Sequence, residues 1–102
     1  MGRKEFFREI DDLTRLRVLV VTDRGLVTRF MVQLEAFSKE KWTPVVRYDS
    51  YHGFAHIDIL HPDRRQDKIR SVAKDLNESL NTAFADLLTN WEYYVSAYLK
   101  EQ

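Results

Sequence analysis

Most residues of this chain with site chemistry fall between Val45 and His61. That stretch holds Arg47, Asp49, Asp58, Tyr48, Tyr51 and all three histidines, His52, His56 and His61. An imidazole titrates near neutrality, a carboxylate can orient it, and a guanidinium stabilises charge developing on phosphate. Arg47, His56, Asp49 and Asp58 thus supply the parts for metal-independent acid–base work on a phosphodiester. Tyr51, in a turn, is placed to stack on a base, with His52 beside it and His61 just past the second strand as further substrate contacts. Two plainer readings fit the same residues. Arg and Asp can form a cross-strand ion-pair ladder on a solvated sheet face. Alternatively, His56-x-Asp58 presents two metal ligands that His52 or His61 would complete, but no His-x-x-x-His helix or second carboxylate cluster supports a metal, and no cofactor is expected. Ser50 and Thr22 lack a nucleophile-elbow context, so serine hydrolysis has no basis.

A β-hairpin must position these groups. Val, Ile, Tyr and Phe alternate with polar residues on both sides of the break from Ser50 to Gly53. A hairpin that sets Arg47 opposite His56 puts Arg47, Asp49, His56 and Asp58 on one face, and Val46, Tyr48, Ala55, Ile57 and Ile59 on the other. A slip of one residue would mix the two sets at the cost of burial. Tyr48 then points inward, as a core residue with a bonded hydroxyl.

The remaining pattern predicts an α+β domain: a short N-terminal helix, a four-stranded antiparallel meander and a long C-terminal helix packed on one face. Phe6, Ile10 and Leu13 at helical spacing suggest a helix over Arg3 to Leu13. The β-branched run Arg17 to Thr22, a turn at Asp23-Arg24-Gly25, and the alternation from Val27 to Phe37 give two strands. Pro44 lacks an N–H, so the third strand starts near it or has it at an edge. Asp67 to Asp75 reads either as a helical turn or as an extended piece around Lys68-Ile69-Arg70. From Leu76 to Tyr98 apolar residues recur every three or four positions without Gly or Pro, with Asn77, Ser79 or Asn81 as caps. The stripe of Trp91, Tyr93, Tyr94 and Tyr98 is core, with a remainder suited to a dimer interface.

Composition bounds the function. At 102 residues the chain is one domain with a real core, and sixteen basic residues balance sixteen acidic ones. Zero net charge does not indicate a general nucleic-acid coat or a membrane-surface binder. The absence of cysteine rules out disulfides and thiolate chemistry and suits a cytoplasmic protein. No signal peptide, membrane span or acylation motif is expected.

Arg47-Tyr48-Asp49-Ser50-Tyr51-His52-Gly53, followed by His56 and Ile57, resembles the Arg-Tyr-Asp-x-x-His-Gly segment of TumE-type toxins of prokaryotic toxin–antitoxin pairs. The chain is more similar still to small uncharacterised prokaryotic proteins with Arg-Phe-x-Val-Gln, Trp-x-Pro-Val-Val-Arg-Tyr-Asp and Asn-Trp-Glu-x-Tyr. Arg29 to Gln33, Trp42 to Asp49 and Asn90 to Tyr94 carry these elements. The toxin resemblance implies action on RNA and a cognate antitoxin-like partner. It covers mainly the hairpin, and the longer tail here departs from it. Clustering of all three histidines favours an enzyme. Zero net charge favours a non-enzymatic interaction module, expected to be a homodimer, that binds a partner protein through the same face.

Overall fold

Six strands precede one helix: β1 (Gly2–Asp11), β2 (Thr14–Asp23), β3 (Leu26–Ser38), β4 (Lys41–Asp49), β5 (His56–Leu60), β6 (Gln66–Arg70) and α1 (Leu76–Lys100). The computed structural model describes residues 1–51, 53–70 and 75–102, and in it the strands form one antiparallel sheet in chain order. The expected four-stranded sheet with an N-terminal helix is corrected on both points. The N-terminal segment is a strand, and a sixth strand closes the far edge.

Phe6 and Ile10, four apart, lie on one side of either a helix or a strand, so the apolar spacing did not discriminate. Apart from Ile10, all of β1 is exposed, so burial does not decide either. Backbone pairing does: β1 matches β2 from Gly2↔Thr22 to Asp11↔Thr14, satisfying an edge that a helix would leave open. At the other edge, Gln66 to Arg70 takes the extended alternative and pairs with β5.

Tight turns keep neighbouring strands adjacent. Arg24 and Gly25 both have positive φ (54° and 80°), as do Lys39 and Glu40 (52° and 67°), giving two-residue hairpins between Asp23↔Leu26 and Ser38↔Lys41. Pro44 lies inside β4, where the pairing with β3 shifts past Val45, and β5 forms no pair beyond Val46↔Ile59. Its missing N–H therefore falls where β4 is locally an edge.

The core lies between α1 and one face of the sheet. Leu16, Val18, Phe30, Val32, Leu34, Val46 and Tyr48 are buried from the sheet side, and Ala83 and Leu87 from the helix side. α1 lies on β3 and β4. Its N-cap is Asp75, whose carboxylate accepts the Glu78 N–H at 2.8 Å. The expected caps Asn77, Ser79 and Asn81 are within the helix, and Asn77 instead accepts the Val27 N–H at 3.3 Å. Tyr48 and Tyr94 both donate to the Asp86 carboxylate, at 2.6 and 2.7 Å, pinning the helix to β4. Burial, reinforced by those hydrogen bonds, pushes both phenols well above their ordinary range. No helix among the described residues is long and apolar enough to cross a membrane.

Candidate functional site

With α1 on one face, the opposite face of the sheet is left without a helix. Strand parity assembles a polar band there. Arg15 pairs with Glu35, Arg17 with Gln33, Gln33 with Arg47, Arg47 with Asp58, Asp49 with His56, and Asp58 with Lys68. The hairpin register differs by two positions from the expected one: Arg47 faces Asp58 rather than His56. An even offset preserves the faces, so Arg47, Asp49, His56 and Asp58 share one side of the sheet and Val46, Tyr48, Ile57 and Ile59 the other.

Hydrogen bonds link the band. Arg15 Nε donates to Glu35 Oε1 at 2.8 Å, Gln33 Nε2 to Glu35 Oε2 at 2.6 Å, and Arg47 Nε to Gln33 Oε1 at 2.7 Å. Further across, His56 Nε2 lies 3.1 Å from Asp49 Oδ1 and 4.0 Å from Asp58 Oδ2, and Lys68 Nζ lies 3.8 Å from Asp58 Oδ1. Glu35, His56 and Asp58 are buried although α1 does not cover this face, with His56 only 4% exposed. The Phe54 ring, 6.1 Å from the imidazole, carries the Arg70 guanidinium 4.5 Å from its centroid, and together they screen His56. His56 thus belongs to the floor of the face rather than to its solvent-exposed layer.

Above that floor stand arginines stacked on aromatic rings. Arg15 lies 4.0 Å from the Phe7 centroid and 4.1 Å from that of Trp42, and Arg29 lies 5.2 Å from that of Tyr51. Phe7 and Tyr51 remain 56% and 66% exposed. Buried Glu35 and Asp58 thus lie in the base with guanidiniums over aromatic rings above them, and the parity of β1 adds exposed Glu5 and Glu9 on the same side, so the outer layer carries both signs of charge.

His61 stands apart from the band. Its Nδ1 lies 2.7 Å from Glu101 Oε2 and its Nε2 2.8 Å from Asp67 Oδ2, tying the C-terminal end of α1 to β6. The Asp67 hydrogen bond first, and the Glu101 bond second, raise its pKa above 6.5. It shares with Arg47 a hollow of about 420 Å³ that Lys41, Arg64, Arg65 and Tyr98 of α1 also line, with Arg65 paired to Asp63 at 2.7 Å. His52 lies outside the described residues. Gln33, Glu35, Arg15, Phe54 and Arg70 were missed as site residues. The Arg15–Glu35 pair was legible as parity, whereas Arg70 lay in the stretch whose structure the pattern left open.

Asp49, His56 and Asp58 are the described residues able to hold a metal ion, their donor atoms lying within 4.8 Å of one another. No curated protein matches the chain, and neither does any solved structure. The family described as Domain of unknown function (DUF7718) matches residues 1–102, and the chain belongs to it.

Proposed function

We propose that the face opposite α1 binds single-stranded RNA, with bases stacking on the exposed aromatic and guanidinium planes and phosphates entering the hollow beside Arg47. The observation that supports this reading is the layering of Arg15, Arg29 and Arg70 on Phe7, Trp42, Tyr51 and Phe54 above buried carboxylates. Stacking platforms flanked by cations suit unpaired bases, whose faces are accessible, better than a duplex. Burial of His56 argues against its direct contact with a ribose hydroxyl, so the proposed activity is binding. Fluorescence anisotropy with labelled RNA of about 12 nucleotides tests it. Trp42→Ala and Phe54→Ala should each weaken binding roughly 5- to 150-fold, from about 1–3 kcal/mol per stacked base. Three phosphate contacts at Lys41, Arg47 and Arg64 give a salt slope of about −2 at ~0.7 per contact. Equal affinity for duplex and single strand, or no binding by about 100 µM in low salt, would refute the reading.

A homodimer is the second reading, supported by the exposed edge strand β1 with Phe6 and Phe7 on opposite faces. β1 carries Arg3, Lys4 and Arg8 against Glu5, Glu9 and Asp11, so pairing with a second copy brings no net repulsion. Sedimentation equilibrium showing only monomer at about 100 µM, a concentration at which even a weak Kd of ~10 µM would populate dimer, excludes it.

A further inference from the structure

We propose that Asp49, His56 and Asp58 form a binding site for one divalent transition-metal ion of the zinc class. This inference stands apart from RNA binding, because it rests on the floor of the face rather than on its outer layer. Strand pairing sets Asp49 directly across from His56, and Asp58 projects from the same side two residues further along β5. Two adjacent strands thus deliver three donors from rigid backbone positions, the arrangement that keeps a metal site precise.

The distances suit an ion. Donors about 2.0–2.2 Å from a common zinc lie some 3–4 Å from one another in a tetrahedral or slightly expanded shell. His56 Nε2 is 3.1 Å from an Asp49 oxygen and 4.0 Å from an Asp58 oxygen, so small movements would close the set. One imidazole nitrogen with two carboxylate oxygens favours zinc, cobalt or manganese over magnesium or calcium, which prefer oxygen-only shells.

A second observation points the same way. Asp58 is 4% exposed, and its Oδ1 is buried without a hydrogen-bond partner. Among the described residues, the cation paired with that oxygen is Lys68 at 3.8 Å, on a side chain that is 59% exposed. A buried carboxylate this poorly compensated is costly, and a dication at the cluster would neutralise it while Lys68 swings into solvent. Arg47 lies across from Asp58, but the Asp58 carboxylate pairs with His56 and Lys68, and the Arg47 Nε turns to Gln33 at 2.7 Å.

The experiment uses the full chain after dialysis against a chelator, titrated with Co²⁺ and followed by its visible absorption, then with Zn²⁺ and Mg²⁺ by calorimetry. One equivalent of Co²⁺ should bind with a d–d spectrum of low coordination number, and Zn²⁺ should displace it. Zn²⁺ should also raise the melting temperature. His56→Asn and Asp49→Asn should each weaken Zn²⁺ binding by more than the ~10–100-fold that loss of a supporting hydrogen bond causes at known sites. His61→Asn, which removes the imidazole outside the cluster, should leave Zn²⁺ affinity unchanged. Circular dichroism reports whether each variant folds, and partly exposed Asp49 supplies the test if His56→Asn does not. No saturable Co²⁺ binding, equal Mg²⁺ affinity, wild-type binding by a folded Asp49→Asn, or loss of binding in His61→Asn would each overturn the proposal.

Discussion

Replacing Glu35 with alanine tests whether the polar band acts as one unit. Its carboxylate is 5% exposed and accepts from Arg15 Nε at 2.8 Å and from Gln33 Nε2 at 2.6 Å. Hydrogen bonds to a charged group contribute about 1.5–3 kcal/mol each, and stranding a buried amide costs a further ~1–3 kcal/mol. These terms do not simply add. The Arg15 side chain is 24% exposed and rehydrates once released, so its share is discounted. The net expectation is a loss of about 3 kcal/mol for Glu35→Ala and about 1 kcal/mol for Glu35→Gln, which keeps one acceptor. For a domain of this size about 3 kcal/mol corresponds to a fall in Tm of roughly 12–20 °C. Urea denaturation measures it directly, with the m-value unchanged if only stability moves. A double-mutant cycle with Arg15→Ala should return a coupling of about 1–2 kcal/mol. Because Gln33 also accepts from Arg47, Glu35→Gln should weaken RNA binding while leaving the fold intact. A loss below about 1 kcal/mol for Glu35→Ala, or no coupling to Arg15, would refute the idea of a linked band.

Other predictions concern the elements that hold this face in place. Leu87 is fully buried on the inner side of α1, so Leu87→Ala should cost about 2–5 kcal/mol by cavity formation, read from the urea midpoint. Glu40 sits at φ 67°, where a side chain costs roughly 1–2 kcal/mol and glycine is free of that penalty; after about 0.5–1 kcal/mol of added chain entropy, Glu40→Gly should stabilise by about 0.5–1 kcal/mol. A measured destabilisation would mean that the Glu40 side chain has a role in the turn. His61 has a folded pKa raised above 6.5 by Asp67 and Glu101, so its contribution is fully present below 6.5 and is lost as pH rises through the folded value. NMR titration should place its midpoint above 6.5, with Glu101 signals following the same transition, and His61→Gln should remove that pH dependence; a midpoint at or below 6.5 would contradict the bridge.

Alternation alone determined which side chains share a face. Any even change of register conserves it, so Arg47, Asp49, His56 and Asp58 stay together although their cross-strand partners shift by two positions. The helical period of Leu80, Phe84, Leu87 and Trp91 likewise marked α1, because an unbroken apolar stripe has few other ways to be buried. Asp23-Arg24-Gly25 marked a turn for an equally local reason, glycine's freedom at positive φ.

Only the tertiary structure decided what depended on distant partners. The segment from Gly2 to Asp11 became a strand because β2 offered it a backbone edge, which the spacing of Phe6 and Ile10 cannot express. His56 was buried by Phe54 and by Arg70 from another strand, which makes it part of the floor of the face. His61 found Glu101 forty residues away, at the far end of α1. The guanidinium layer is likewise a product of packing, because it brings Arg15 over Phe7 and Trp42 from separate strands. Local sequence carries period and turn chemistry; which side chain lies above another depends on how strands distant in the chain are stacked, and that is fixed by the balance of burial and backbone pairing over the whole sheet.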